Sequence, residues 1–178
     1  PKDVKALIKT GDEYGRSLEI LKAVEFVNEN QKGLIPLKVK DYFGEDLRGK
    51  KLGIWGLSFK PHTDDMREAP ALRIIEELLK EGVEIRAYDP VALDEARRRL
   101  GDSIEFCEDK YEALIDCDGL VVVTEWPEFR VLNYKVLNKL MRDKVIFDGR
   151  NIYDADELQE FGFTYYSIGK KPVKPFSV

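Results

Sequence analysis

The chain has little cysteine and histidine: Cys107, Cys117 and His62 are the members of these two types among 178 residues. The cysteines form no CxxC pair and have no neighbouring histidine, which argues against a zinc site, so no metal is predicted. The sequence favours two buried thiols in a cytoplasmic protein. We interpret His62 as a solvated loop residue, because the sequence names no partner that would make it a catalytic base.

Long apolar runs and an excess of positive charge are also missing. No stretch approaches 18 consecutive apolar residues, so no transmembrane helix is predicted. The net charge of −5 means that the chain has no overall excess of positive charge with which to bind nucleic acid or an anionic membrane. Hydrophobic residues make up 43% of the chain, which is enough to build a core of one domain with some extra structure.

The chain lacks the GxGxxG fingerprint of a Rossmann NAD site, since its first strand runs into the turn GIWGLSFK at residues 53–60. The acid that such a site needs is present, because Asp89 follows the second predicted strand. With Pro90 after it, we interpret Asp89 as a turn or cap residue. The sequence therefore predicts a dinucleotide-binding type of fold that lacks the glycine-rich loop with which such folds bind a dinucleotide.

Two regions are predicted along the chain, a helical region at 1–48 and an α/β domain at 49–178. In the first, Asp3 caps a short helix to Thr10, Gly11 breaks it, and a long helix at 14–42 is kinked by Pro36. In the second, strands and helices alternate, which predicts a Rossmann-like, doubly wound parallel sheet. The predicted strands are 51–57, 84–88, 104–107, 119–124, 144–147 and 163–168, and the helices are 70–81, 93–100, 110–115, 134–142 and 156–161.

The loop after the first strand has the features of an anion site. It runs from residue 58 to 67, and a helix pattern begins at Pro70, where proline suits the first turn. A strand, a loop and a helix N-terminus point unpaired N–H groups and the helix dipole at a ligand. Lys60 and Arg67 lie in the loop and supply the positive charge that a pyrophosphate requires.

Four sequence pieces together carry a family resemblance. The pieces are PKDVKALI at 1–8, GLSFKPHTDDMREAP at 56–70, VVTEW at 122–126 and FDGRN at 147–151. In this order, they resemble the C-terminal, UDP-binding portion of the UDP-glucose/GDP-mannose dehydrogenase family, and they span nearly the whole chain. In that family PKD follows a nucleophilic Cys-Phe pair, so the resemblance implies a fragment that starts just past its nucleophile and is inactive alone.

The resemblance implies a function for the parent protein. This is the NAD-dependent oxidation of UDP-glucose to UDP-glucuronate, in a homodimer held through the long helix. GDP-mannose and UDP-N-acetylmannosamine dehydrogenases are alternatives within the family. A non-catalytic nucleotide-binding and dimerisation module is the alternative outside it.

The resemblance also implies roles for single residues. Phe59, Lys60 and Arg150 would bind the substrate, Lys2 and Arg67 would contact NAD, and Asp3 would position or activate the attacking water. The residues themselves leave other roles open: a core position for Phe59, a surface position for Lys60, an ion pair of Arg67 with a nearby acid, and a plain turn at Arg150. Glu125 and Trp126 are expected to pack without contacting a ligand, and the long helix could lie back on its own domain.

Overall fold

A parallel sheet forms the centre of the computed structural model, which describes residues 2–176 and the side chains from residue 3 onwards. Its six strands among these residues follow the order β3-β2-β1-β4-β5-β6, and every neighbouring pair is parallel. The strands are β1 Lys51–Trp55, β2 Glu84–Tyr88, β3 Glu105–Phe106, β4 Gly119–Val122, β5 Val145–Asp148 and β6 Thr164–Ser167. Successive strands are added on one side of β1 up to β3 and on its other side from β4 onwards, so the strand order reverses between β1 and β4. This topology confirms the predicted Rossmann-like α/β fold.

Helices surround the sheet and precede it. They are α1 Lys2–Glu13, α2 Glu19–Lys32, α3 Leu34–Phe43, α4 Pro70–Lys80, α5 Leu93–Leu100, α6 Tyr134–Leu140 and α7 Ala155–Glu160. The predicted helix at 110–115 is only a 3₁₀ turn, Glu112–Leu114, because the chain already leaves helical geometry at Ile115. Within the described range, no helix has the length and apolar character that crossing a bilayer requires.

The sheet is covered on both faces, as its continuous apolar strands predict. On one face Ile54, Val121 and Phe147 pack in a core that includes residues of α3, α4 and α5. On the other face Trp55 and Val122 belong to a second core that includes residues of α6 and α7. Neighbouring residues of β1 and β4 therefore point into different cores, which fixes the register of both strands.

The predicted helix break at Gly11 is wrong, because α1 continues through it to Glu13. A Cβ atom at Gly11 would lie 2.8 Å from the carbonyl oxygen of Arg16 and 2.8 Å from Cδ1 of Leu18. The glycine therefore permits the next segment to return close to the helix. The chain turns four residues later at Gly15, which has φ 65°.

The long helix predicted at 14–42 is two helices, and the break lies at Gly33 rather than at Pro36. Pro36 is the third residue of α3, in the first turn, where its missing N–H group is not needed. α3 lies back on the sheet through Ile35 and Val39, which are buried, whereas α2 buries none of its side chains. The two halves of the predicted helix thus have different surroundings.

Candidate functional site

A cleft of about 460 Å³ opens at the carboxyl ends of the strands, on the face of the sheet that carries α3 and α4. Open α/β sheets bind their ligands at this end. The residues that line the cleft come from α2 (Asn28, Gln31, Lys32), α3 (Ile35), the β1–α4 loop (Phe59, Glu68), α4 (Pro70, Ile74) and the ends of β4, β5 and β6 (Val123, Gly149, Arg150, Ile168). Aliphatic side chains and one aromatic ring thus lie beside amide, basic and acidic groups, as in small-molecule sites.

The cleft brings together two of the three residues predicted to bind substrate. Phe59 and Arg150 both line it, from opposite sides of the strand switch between β1 and β4. The half-buried ring of Phe59 packs against the first core, and its N–H group donates to Asp65 O at 2.9 Å. Lys60 is exposed and lies outside the lining of the cleft, although it is the next residue in the loop.

Arg150 is held by the residue two positions before it. Asp148 is fully buried, and its carboxylate accepts hydrogen bonds from the N–H groups of Arg150 at 2.8 Å and Ile152 at 2.7 Å. The hydroxyl of Tyr165 donates to the same carboxylate at 2.8 Å. The buried acid therefore shapes the turn that presents Arg150, because a charged acceptor with several donors fixes its surroundings strongly.

The glycine of this turn does not adopt the left-handed conformation that favours glycine. That conformation belongs to Asn151, with φ 55°. Gly149 instead permits a close approach, since a Cβ atom there would lie 3.0 Å from Val122 O. The side chain of Asn151 pairs with the backbone of Ile168, through bonds of 2.7 and 3.0 Å, and so ties the turn to the end of β6.

Glu125, for which the sequence predicts packing without a ligand contact, forms an ion pair with Arg150. Its carboxylate accepts a short charge-assisted hydrogen bond from Nε of Arg150, and both side chains are 32% exposed. The arginine therefore has a partner, and an anion that binds to it must compete with Glu125. No sequence signal identifies this pair, because 25 residues separate its members. The packing prediction holds for Trp126, which is 5% exposed in the second core.

A charge network closes one side of the cleft. Nζ of Lys32 lies 2.7 Å from Glu29 and 3.4 Å from Glu68, and Nζ of Lys5 lies 2.6 Å from Glu68. The ammonium groups of Lys5 and Lys32 lower the pKa of Glu68, and Lys32 lowers that of Glu29. Glu68 has a left-handed backbone with φ 62°. The network ties the β1–α4 loop to α1 and α2.

Two of these acids and Glu25 form the one carboxylate cluster close enough for a metal among the described side chains. Glu25, Glu29 and Glu68 bring ligand atoms within 4.8 Å of one another. The ammonium group of Lys5 lies 3.2 Å from Glu25, and that of Lys32 bonds to Glu29. The cations of the chain itself therefore take the place that a metal ion would need.

Two of the predicted cofactor and catalytic residues, Arg67 and Asp3, are not among the residues that line the cleft. Arg67 is 66% exposed and makes a two-point contact with Asp65, at 2.9 and 3.0 Å, which is the ion pair that the sequence left open. Asp3 is exposed in the first turn of α1. The side chain of Lys2 lies outside the described residues.

The remaining sequence predictions concern the two thiols and two loop residues. Cys107 and Cys117 are buried and unbridged, as predicted, and burial raises the pKa of their thiols to about 11 and about 12. His62 is an exposed loop residue whose ring lies edge-on to Trp126. Asp89 caps the turn after β2, because one carboxylate oxygen accepts from the N–H groups two and three residues later at 2.9 and 2.8 Å.

Comparison with known proteins gives the family. The sequence profile of the UDP-glucose/GDP-mannose dehydrogenase family, UDP binding domain, matches residues 53–155. The UDP-glucose 6-dehydrogenase of Rhizobium meliloti is 39% identical over 170 residues, which cover 96% of this chain and 39% of that protein. The chain thus spans about two fifths of the length of such curated relatives.

Solved structures agree with this result. A UDP-glucose dehydrogenase from Pyrobaculum islandicum superposes with a TM-score of 0.77 at 37% identity, covering 88% of this chain and 34% of that one. A UDP-D-ManNAc dehydrogenase from Pyrococcus horikoshii gives a TM-score of 0.61 at 26% identity, covering 84% of this chain and 32% of that one. The chain therefore belongs to the UDP-glucose/GDP-mannose dehydrogenase family, and residues 53–155 match the UDP-binding domain of that family.

Proposed function

We propose that this chain binds the UDP part of UDP-glucose within a longer, NAD-dependent UDP-glucose 6-dehydrogenase of the cytoplasm. The longer enzyme oxidises UDP-glucose with two NAD and water to UDP-glucuronate. The observation that carries the proposal is the convergence of Phe59 and Arg150 in one cleft of a UDP-binding domain. In this division of the chain, residues 1–48 link the domains and line one wall of the cleft, and residues 49–178 supply the proposed nucleotide contacts.

The cleft offers each part of a uridine diphosphate a suitable partner. The ring of Phe59 is a flat apolar surface for the base or the ribose. The guanidinium group of Arg150 matches a diphosphate, which accepts two parallel hydrogen bonds from it. We assign a second phosphate contact to Lys60, whose flexible ammonium group extends from the same loop.

The cofactor has a different place in this proposal. NAD accepts the hydride in each oxidation step. The N–H groups of the first turn do not fit its pyrophosphate, because Asp89 already accepts hydrogen bonds from Leu57 and Ser58. NAD is therefore assigned mainly to the rest of the longer protein, with Lys2 and Arg67 reaching it from this chain. Asp3 is assigned to position the water that hydrolyses the intermediate.

Calorimetric titration tests the nucleotide assignment. We expect UDP to bind with a Kd in the millimolar range, about −4 kcal/mol, because this chain supplies only part of the natural site. Uridine should bind more weakly than UDP, because it lacks the diphosphate that pairs with the cations. GDP is the matched control for the base. If GDP bound as tightly as UDP, the uridine assignment would fail and the GDP-mannose alternative would gain support.

We also propose that the chain forms a homodimer through α2. Ile20, Val24 and Val27 recur at helical spacing and are 80%, 42% and 54% exposed, while α2 buries no side chain in the single chain. An apolar stripe of this kind commonly packs against a partner, and a two-fold dimer lets the same stripe face itself.

Sedimentation velocity tests this interface. The unmodified chain should be a dimer at a concentration of tens of micromolar, with a Kd of about 10 μM or lower, which corresponds to a binding free energy of about −7 kcal/mol or more favourable. The double variant Ile20→Glu, Val27→Glu should be a monomer, because it would bury charge in the interface. Val131→Glu is the control, since Val131 is 76% exposed at a distant position. A monomeric unmodified chain, or a dimeric double variant, would refute the proposed interface.

A further inference from the structure

A buried carboxylate lies at the point where the strand order reverses. Asp89 is fully buried, and its Oδ2 atom accepts hydrogen bonds from the N–H groups of Leu57 at 2.7 Å and Ser58 at 3.1 Å. Oδ2 also lies 3.1 Å from the hydroxyl of Ser58 and 3.2 Å from Nε1 of Trp126. These donors belong to the loops that follow β1 and β4, on the two sides of the reversal.

Hydrogen-bond donors alone hold this carboxylate. Its other oxygen accepts from the N–H groups of Val91 and Ala92, at 2.9 and 2.8 Å. No lysine or arginine forms an ion pair with Asp89 among the side chains at 3–176. N–H groups converging without a cation are typical of an anion-binding turn, in which backbone dipoles stabilise the negative charge.

Consecutive N–H groups directly after the first strand have a known use in this type of sheet. They bind the phosphate groups of a nucleotide at the strand reversal. In this chain the corresponding N–H groups point at Asp89. We infer that Asp89 is an internal anion, which occupies the phosphate position of the first turn and excludes a nucleotide phosphate from it.

Further hydrogen bonds connect the turn after β1 to the position of Phe59 in the cleft. The carbonyl of Ser58 accepts from the Thr124 hydroxyl at 2.6 Å. The hydroxyl of Ser58 lies 3.1 Å from both the carbonyl of Lys60 and Oδ2 of Asp89, which share its single proton. Phe59 lies between these two anchored residues. Asp89 is thus a positioning residue that holds the turn so that Phe59 faces the cleft. The positioning of Phe59 for a ligand rests on the proposed function, whereas the assignment of Asp89 as an internal anion does not.

Replacement of the carboxylate by a free anion tests the inference. Asp89→Ala removes one carboxylate group and leaves its N–H donors in place, and formate has the size and charge of the missing group. The melting temperature of the variant should fall by about 5 to 10 °C, because several buried donors lose their acceptor. At constant ionic strength, 100 mM formate should raise it again by about 3 to 5 °C.

Two controls make the rescue specific. Leu57→Ala truncates a buried side chain in the same turn, so it should lower the melting temperature without a response to formate. Acetate should rescue Asp89→Ala less than formate does, because its methyl group exceeds the vacated space. Formate that stabilised all variants and the unmodified chain alike, or that left Asp89→Ala unchanged, would overturn the inference.

A second variant covers the case in which Asp89→Ala does not fold. Asp89→Asn keeps the shape of the side chain but removes its charge, so the amide proton resonances of Leu57 and Ser58 should move upfield in NMR spectra. Unchanged resonances would contradict an anionic acceptor at these N–H groups.

UDP binding separates this inference from the proposed function. Asp89→Ala should bind UDP about ten-fold more weakly, and formate should restore the affinity. If the unmodified chain bound no UDP, the proposed function would fail, while the formate rescue of stability would still decide the role of Asp89. If Asp89→Ala bound UDP as well as the unmodified chain, the positioning role would be refuted.

Discussion

Gly56→Ala is expected to lower the free energy of unfolding by about 3 to 5 kcal/mol, through backbone strain and steric overlap together. Gly56 has φ 92°, which a side chain rarely permits. A Cβ atom at this position would lie 2.6 Å from the backbone nitrogen of Thr124 and 2.5 Å from its Cβ. Thr124 lies two residues after the end of the central strand β4 and is fully buried, so it cannot move without disturbing the sheet.

Gly44→Ala is the matched control for this change. Gly44 has φ 91°, almost the same as Gly56, but no atom of the described residues lies within 4 Å of the added Cβ atom. Its cost should be about 1 to 2 kcal/mol, from backbone strain alone. Urea denaturation of both variants measures the difference, which isolates the contact with Thr124. Equal losses would show that the turn after β1 is not packed tightly against β4.

The sequence predicts most of the sheet because its strands are apolar runs between turn residues. The alternation of strands and helices predicts that the sheet is parallel and doubly wound, and every predicted strand is present, with ends that differ by at most a few residues. The errors fall where the effect of a residue depends on tertiary contacts. The sequence pattern predicts that Gly11 and Pro36 break helices. In the structure Gly11 allows residues 16–18 to approach α1 closely, and Pro36 lies in the first turn of α3, where the N–H group that proline lacks is not needed.

The site is predictable only in part, for a similar reason. Phe59 and Arg150 follow β1 and β5, so the parallel sheet brings them to one rim. Helix α2 supplies the opposite wall, which no local pattern indicates, because its place depends on how the helical region folds back. The pairing of Lys32 with Glu68 is equally hidden, since the two residues are 36 positions apart in sequence. Long-range ion pairs leave no periodic signal in a single sequence.

Arg150→Ala is expected to weaken UDP binding about ten-fold or more, because a charge-assisted pair with the diphosphate is lost. Arg150→Lys should recover only part of the affinity, since lysine lacks the two-point geometry of the guanidinium group. Glu125→Gln should have the opposite effect and strengthen binding by about two- to five-fold, because it removes a partly exposed competitor for Arg150.

The most direct test of a nucleotide site in the cleft is a UDP titration followed by NMR, with the unmodified chain, Arg150→Ala and Glu125→Gln. We predict that UDP shifts the resonances of Phe59, Arg150 and Ile168, and that affinity is lowest for Arg150→Ala, higher for the unmodified chain and highest for Glu125→Gln. Shifts confined to another surface, such as the groove between Tyr111 and Tyr134, or unchanged affinity in Arg150→Ala, would contradict it.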